Sequence, residues 1–412
     1  MLRSQINDVL ASQVELLNSV DQYIPRHRTK DIVEQDGFAT IITGVRRSGK
    51  STLLKTMMSN DKGAHQYLHF DDPRLIDFDV QDFYIIEELC DPDTKYYYDE
   101  IHQITQWERY VRHITERKKP IIITGSNAAM LSTELATLLT GRHLSYELFP
   151  FDYREYKELN NSESEVKEVA EYIRDGGFPE YLTHKNDVIL QQLLTDIVQR
   201  DIVARYGVRD SHALLQITMH LINNIARPYS LNKLKKSYKI GSVNTVASYI
   251  QYLENAYLFF SISKFDYSYK KQLVNEKKVY AIDTGFVRAN TIKLQDDHGR
   301  LLENLVFLYL RRQHRQIYYY RDEWECDFIL TEHQQVTRCV QVCLQLDRHN
   351  MEREVNGLIE ALSFFNHDQG YIVTMEQQDI LTKNDKTITL ISAHDLLPVS
   401  YTHLTLPTTP YV

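Results

Sequence analysis

Between Phe38 and Phe151 the chain alternates short β-branched and aromatic runs with longer stretches whose apolar positions recur every three or four residues. That alternation predicts a parallel sheet with crossover helices. Five strands follow from it: Phe38–Thr43, Gln66–Phe70, Lys95–Tyr98, Pro120–Thr124 and Leu144–Leu148, each ending near polar residues or glycine. A helical segment, Ser4 to Asp31, precedes them. The polar run Asn160-Asn-Ser-Glu-Ser-Glu165 marks a surface loop or domain edge, and the pattern beyond it is helical to about Ile225. Two shorter helices flank Ile240-Gly241, strand-like segments follow at Tyr257–Phe265 and Lys278–Ile282, and a last α/β section runs from Leu301 to about Leu397. No repeat of fixed period is present.

With 412 residues, 43% of them hydrophobic and 25% charged, the chain is globular in composition and too long for one core, so two or three domains are expected. Its apolar runs fall short of the roughly 18 residues a bilayer span needs, and no membrane segment is expected. The N-terminus has neither an apolar signal region nor a small-residue cleavage site, which predicts a cytoplasmic protein. Cys90, Cys326, Cys339 and Cys343 form no Cys-x-x-Cys pair, so neither a disulfide framework nor zinc is indicated. Val399-Ser-Tyr-Thr-His-Leu-Thr-Leu-Pro-Thr-Thr409 resembles the translated read-through of a sequencing-library adapter, the alternative being a genuine Thr/Pro-rich tail. Residues 399–412 are therefore kept out of the fold reading.

Gly44-Val-Arg-Arg-Ser-Gly-Lys-Ser51 fits the phosphate-loop pattern G-x-x-x-x-G-K-[ST], directly after a predicted strand and before the helical Thr52-Leu-Leu-Lys-Thr-Met-Met58. Gly44 and Gly49 let the backbone curl around phosphate oxygens, with Arg47, Ser48, Ser51 and Thr52 completing the loop and the helix start. Lys50 would bridge the β- and γ-phosphates of ATP, and the Ser51 hydroxyl would ligate Mg²⁺. The metal also needs a carboxylate at the tip of a neighbouring strand, and Lys95-Tyr-Tyr-Tyr-Asp-Glu100 supplies it. Asp99 would support Mg²⁺ and Glu100 would accept a proton from the attacking water, which suits hydrolysis. Ile121-Ile-Ile-Thr-Gly-Ser-Asn127 ends at the same sheet edge. Asn127, with Ser126 as substitute, is either a sensor of water and γ-phosphate or simply a helix N-cap.

These motifs, with Gly141-Arg142, Phe149-Pro-Phe151 and Gly176-Gly-Phe-Pro179, resemble a prokaryotic family of AAA-type ATP-binding proteins with an uncharacterised C-terminal half. The likeness runs almost to Pro398. It implies an α/β fold: a P-loop NTPase sheet of AAA/ASCE type, then a helical and winged-helix region, then an α/β nuclease-like domain. The implied boundaries are 1–37 for an N-terminal helical segment, 38–156 for the ATPase core, 157–225 for a lid or linker, 226–290 for the winged-helix-like module and 291–398 for the nuclease-like domain. The resemblance also implies catalytic or sensing roles for Lys50, Glu100 and Asn127. Arg142 stands where an arginine could neutralise γ-phosphate charge in its own or a neighbouring subunit, with a surface ion pair as the alternative. No Leu-Ser-Gly-Gly-Gln signature points to a transporter ATPase, and the length beyond the core disfavours a small-molecule kinase.

The net charge of −9 rules out a generally basic nucleic-acid coat, so any such contact must be local. Between Pro228 and Tyr280 nine lysines stand against three acidic residues. Within that span Ser242 reads as the N-cap of a helix burying Val243, Val246, Ile250 and Leu253, and its other face carries Asn244, Thr245, Ser248 and Gln251. Double-stranded DNA is one expected partner of 228–280, and a docked protein is the other. Arg200, Asp201 and Arg205 brace domains, approach nucleotide or form a surface ion-pair network. The last section is similar to the PD-(D/E)XK nuclease-like fold. Glu303 and Asp327 match its acids, but Gln341-Val-Cys343 stands where an acid and a lysine belong, so a degenerate site is expected. The leading reading is an Mg-dependent ATPase coupled to a DNA-contacting module; the alternatives are an ATP-gated protein switch and an ATP-dependent nuclease. Oligomerisation is compatible with each.

Overall fold

The structure is a computed structural model and describes residues 1–18, 26–131, 138–139, 141–160, 165–292 and 297–398. The expected loop at 161–164 and the adapter-like tail from Val399 lie outside the described residues. The chain divides into two compact units, one of Met1–Pro150, Arg200–Arg205 and Asn255–Tyr257, the other of Phe151–Gln199, Tyr206–Glu254 and from Leu258 onward.

Among the described residues, the first unit holds a parallel sheet of five strands: β1 (Ala39–Thr43), β2 (His65–His69), β3 (Lys95–Asp99), β4 (Ile121–Gly125) and β5 (His143–Glu147), in the order β2-β3-β4-β1-β5. Each lies within one residue of its predicted position. Helices α1 (Arg3–Asn18), α2 (Lys50–Asn60), α3 (Asp82–Leu89) and α4 (Trp107–Glu116) belong to this unit. The predicted helix from Ser4 to Asp31 is thus α1 followed, beyond undescribed residues 19–25, by a short 3₁₀ turn at His27–Asp31.

The tyrosine run of β3 shows how the layers form, because successive strand side chains leave opposite faces. Tyr96 and Tyr98 enter the cluster of Phe70, Phe78, Phe83 and Tyr110, in which Phe83 stacks on Tyr110 at 4.2 Å between ring centres. Tyr97 enters the opposite cluster with Leu53, Leu54, Met57 and Met58 of α2. Burial of this kind is worth roughly 1.5–3 kcal/mol per large apolar side chain. It clamps α2, and with it the start of the phosphate loop helix, onto the sheet.

One expectation needs correction. The acid pair does not sit on the strand beside β1; β4 lies between β1 and β3. An apolar run on its own does not encode which strand it pairs with, so this order was not legible.

The second unit contains a nine-stranded mixed sheet among its described residues, ordered β13-β14-β12-β11-β10-β9-β7-β8-β6. Its strands are β6 (Pro228–Tyr229), β7 (Phe259–Lys264), β8 (Lys277–Ala281), β9 (Ile317–Arg321), β10 (Glu325–Glu332), β11 (Gln335–Val342), β12 (Gln369–Thr374), β13 (Asp379–Lys383) and β14 (Lys386–Ser392). The predicted strand segments near residues 257–265 and 278–282 therefore join the same sheet as the last α/β section, through the parallel pairing of β7 with β9. Helix His298–Arg311 is buried along most of its length, and Asn304 inside it exchanges two hydrogen bonds with the backbone of Ala281. Helix Met351–Phe365 packs on β10, β11 and β12. No helix among the described residues is long and apolar enough to cross a membrane.

Candidate functional site

β1 is buried throughout and ends at Thr43, where Gly44 turns the chain into the phosphate loop. A Cβ at Gly44 would lie 2.1 Å from the carbonyl oxygen of Leu148, so only glycine passes there. Arg26, which is buried, donates to the carbonyl of Ser48 and, at 2.8 Å, to that of Phe149, pinning the loop from below. Lys50 is 4% exposed. Its Nζ donates to the carbonyls of Gly44 at 3.1 Å and Val45 at 3.2 Å and stands 3.3 Å from Glu100 Oε1.

Opposite the loop, the ends of β3 and β4 are tied together by one hydroxyl. Thr124 Oγ1 donates to Asp99 Oδ1 and accepts the backbone N–H of Glu100 at 3.0 Å. Asp99 is fully buried, and its Oδ2 accepts the Tyr67 hydroxyl at 3.0 Å. Glu100 adopts a left-handed backbone with φ 55°, and its Oε2 accepts the N–H of Ser126 at 3.1 Å. Burial alone would raise the Glu100 pKa, but the Lys50 ammonium, with smaller help from His102 and Arg46, outweighs it and holds the group down to about 2. His102 Nδ1 lies 3.2 Å from Glu100 Oε2, and burial pulls that imidazole down to about 4, leaving it neutral at physiological pH.

Several buried polar atoms around this space accept or donate no hydrogen bond: the hydroxyls of Ser48 and Ser126 and Nε2 of His102. Buried polar atoms are ordinarily satisfied, so a cluster of orphans beside a buried lysine and two carboxylates fits a polar, anionic ligand with its cation. The residues present thus suit Mg-nucleotide: Lys50 and the loop for phosphates, Ser51 and Asp99 for the metal. Ser51 and Thr52 are half-buried in the first turn of α2, Ser48 is buried, and Arg47 is exposed with φ 62°. Asn127 is buried just beyond β4, and its carbonyl accepts the Met130 N–H at 3.1 Å.

Arg142 is not brought to this place. It is exposed where β5 begins, and its carbonyl accepts the N–H of Ala39 at the start of β1, so a five-residue strand separates it from the phosphate loop of its own chain. At about 3.3 Å per residue that is roughly 16 Å. Of the other arginine-rich segment, Asp201 is buried and takes both Nε and Nη2 of Arg46 at 3.1 Å, bringing Arg200–Arg205 to the loop within the first unit. The sequence reading missed Arg26, Tyr67, His102 and Thr124 as parts of the site. Thr124 and His102 sit inside motifs already singled out, whereas nothing local marks Arg26 or Tyr67.

A second polar cluster lies in the other unit. Lys278, 1% exposed, points its Nζ at Glu325 Oε1 (2.7 Å), Asp327 Oδ1 (2.8 Å) and Glu303 Oε1 (3.2 Å). Burial, helped by the Asp327 charge, pushes Glu303 up to about 8. Glu303 and Asp327 both stand against this ammonium. Gln341 lies beside them, its carbonyl accepting the N–H of Asp327 and its amide donating to Glu354. An ammonium is also present after all, supplied by β8 and not by the position of Cys343, whose thiol burial pushes up to about 12. Lys278, counted among the nine lysines of 228–280, is therefore an interior residue and not a surface charge.

A model of an AAA domain matches residues 36–157, and a model of a domain of unknown function matches residues 166–297. An uncharacterized protein of Methanocaldococcus jannaschii is 30% identical over 385 residues, covering 86% of this chain and 84% of its own length. One from Haemophilus influenzae is 31% identical over 343 residues, covering 77% and 85%. Among solved structures, the S. cerevisiae Hsp104–ADP complex matches 59% of this chain and 41% of its own at 12% identity and TM-score 0.32. Cdc6p from Pyrobaculum aerophilum matches 59% and 90% at 12% identity and TM-score 0.26. Superpositions this loose carry no argument, and the fold assignment rests on the strand order and the phosphate loop. On these findings the chain is an AAA-type, ATP-binding P-loop NTPase, and it belongs to the family of the M. jannaschii and H. influenzae proteins.

Proposed function

We propose that the chain hydrolyses ATP with Mg²⁺ and couples the cycle to double-stranded DNA held by residues 228–280. The observation that carries the first half is the Lys50–Glu100 contact of 3.3 Å, with Glu100 and Asp99 both fixed by Thr124. Glu100 is ionised and ready to accept a proton from water, and Lys50 holds it in place until phosphate draws the ammonium away. Asp99 and Ser51 would hold the metal, which supplies charge neutralisation at the β- and γ-phosphate oxygens. Asn127 and Ser126 orient the attacking water at the same edge, and Arg142 acts only across a subunit boundary in an oligomer.

For the second half, helices Ser211–Ile222, Leu231–Ser237 and Val243–Asn255 lead into the antiparallel pair β7–β8, with β6 closing on β8. This order supports a winged-helix reading. The Ser242 hydroxyl accepts the N–H of Thr245 at 3.0 Å, and Val246, Ile250 and Leu253 are buried, leaving Asn244 and Gln251 exposed. Helix His298–Arg311, the antiparallel strands β9–β11, helix Met351–Phe365 and parallel β12 likewise support the nuclease-like reading of 291–398.

ATP turnover measured with and without duplex DNA across a salt series tests the proposal. Stimulation that falls steeply with salt is the expected result. Turnover indifferent to DNA but lost in Glu100→Gln transfers the module to a protein partner, a reading favoured by the exposure of Tyr267 (78%), Tyr269 (73%) and Val274 (77%) between β7 and β8.

A further inference from the structure

We propose that Lys278 is the resident cation of the Glu303–Glu325–Asp327 cluster, filling the position a divalent ion would need and making this part of the chain metal-independent. The inference goes beyond the ATPase reading and does not rest on it. A lysine ammonium has three N–H donors, and here three side-chain carboxyl oxygens stand at 2.7, 2.8 and 3.2 Å. The donor count and the acceptor count match. The lysine is 1% exposed, and its ammonium also lies 5.7 Å from the centre of the Tyr319 ring.

Other polar atoms of the cluster are engaged as well. Asp327 Oδ2 accepts the Val342 N–H at 3.0 Å, the Gln341 carbonyl accepts the Asp327 N–H at 3.1 Å, and Glu303 Oε1 takes the Tyr280 hydroxyl at 2.8 Å in addition to the ammonium. A hard divalent ion takes six or more oxygen ligands at about 2.0–2.6 Å, and it would have to share this pocket with a positive charge that cannot leave. The ammonium also makes a mechanical joint: it ties β8, at the base of the exposed β7–β8 connection, to β10 and to helix His298–Arg311. Lys277, its neighbour on β8, is half-buried, so one strand presents one lysine inward and the next away from the cluster.

Titration of the nucleotide-free full chain with MnCl₂, followed by calorimetry, tests this against Lys278→Met and the double variant Lys278→Met/Asp327→Asn. The expected result is a Mn²⁺ site in Lys278→Met at least tenfold tighter than anything wild type shows at the cluster, and its loss in the double variant. The second measurement needs no variant at position 278, so it survives if Lys278→Met fails to fold: the wild-type melting temperature in EDTA and in MnCl₂. Equal temperatures support the proposal. Mn²⁺ binding or Mn²⁺-dependent DNA cleavage by the wild-type chain that vanishes in Asp327→Asn but persists in Asp99→Asn would overturn it.

Discussion

Thr124 joins the two acidic residues of the nucleotide site through a single oxygen, giving its proton to Asp99 and taking the N–H of Glu100. The second bond helps hold Glu100 in a left-handed conformation that a residue with a Cβ adopts only against a cost. Thr124→Val keeps the shape and removes both bonds, leaving a buried N–H and a buried carboxylate oxygen unpaired. An unsatisfied buried group costs about 1–3 kcal/mol, so kcat should fall about 10- to 100-fold. Nucleotide affinity should change by less than about threefold, because Lys50 and the loop are untouched. Single-turnover hydrolysis beside a fluorescent-nucleotide titration separates the two, and an unchanged kcat would show that Glu100 needs no such support. The phosphate loop and the acid pair were readable because their chemistry demands particular residues at fixed spacing. Thr124 was not, since its importance comes from β4 lying between β1 and β3, a pairing no local pattern records.

Asp283 fastens one helix to a distant turn. It caps helix Thr284–Asn290 through the Phe286 N–H at 2.7 Å and accepts the Gly177 N–H at 2.6 Å, within the Gly176-Gly-Phe-Pro179 motif. Gly177 itself passes so close to Phe151 that a Cβ would lie 2.2 Å from its carbonyl oxygen, which explains that glycine physically. Burial pushes the Asp283 pKa up from 3.8 to about 6, against the lowering effect of those N–H donors. A carboxyl raised in the folded state binds its proton more tightly there than in the unfolded chain. Its contribution is full below pH 3.8 and is lost as pH rises through 6, amounting to at most about 3 kcal/mol. Asp283→Asn should therefore lower stability at pH 4 and flatten the decline between pH 4 and 6.5. Urea midpoints followed by circular dichroism at four pH values check this, and an unaltered slope would refute it. At this scale the five strands of the first sheet were legible to within a residue, because β-branched and aromatic runs bounded by polar residues or glycine are local, whereas the later strands were read only as an α/β section. Their assembly was not: β7 pairs with β9 across more than fifty residues, and Lys278 meets Asp327 through that sheet.

For the whole molecule, charge is unevenly spread. A chain of −9 carries eight lysines against three acidic residues over 228–277, even after Lys278 is assigned to the interior. Lys236, Lys239 and Lys270 are exposed, whereas Lys233 is paired with Glu276 at 2.9 Å and Lys271 lies 3.7 Å from Asp266. If the module grips the DNA backbone, each lysine that neutralises a phosphate releases a counterion, and log K falls with log salt at about 0.9 per contact. Replacing Lys236, Lys239 and Lys270 by glutamine should lower that slope by about 2 to 3 and weaken binding to all sequences alike. Basal ATP turnover should stay unchanged, since none of the three belongs to the nucleotide site. Lys278→Arg is the internal control: the residue is buried among three acidic side chains, so the slope should not move. Fluorescence anisotropy on a duplex between 50 and 200 mM salt reads both results. An unmoved slope in the triple variant would remove DNA from this face and leave its exposed tyrosines and lysines to a protein partner.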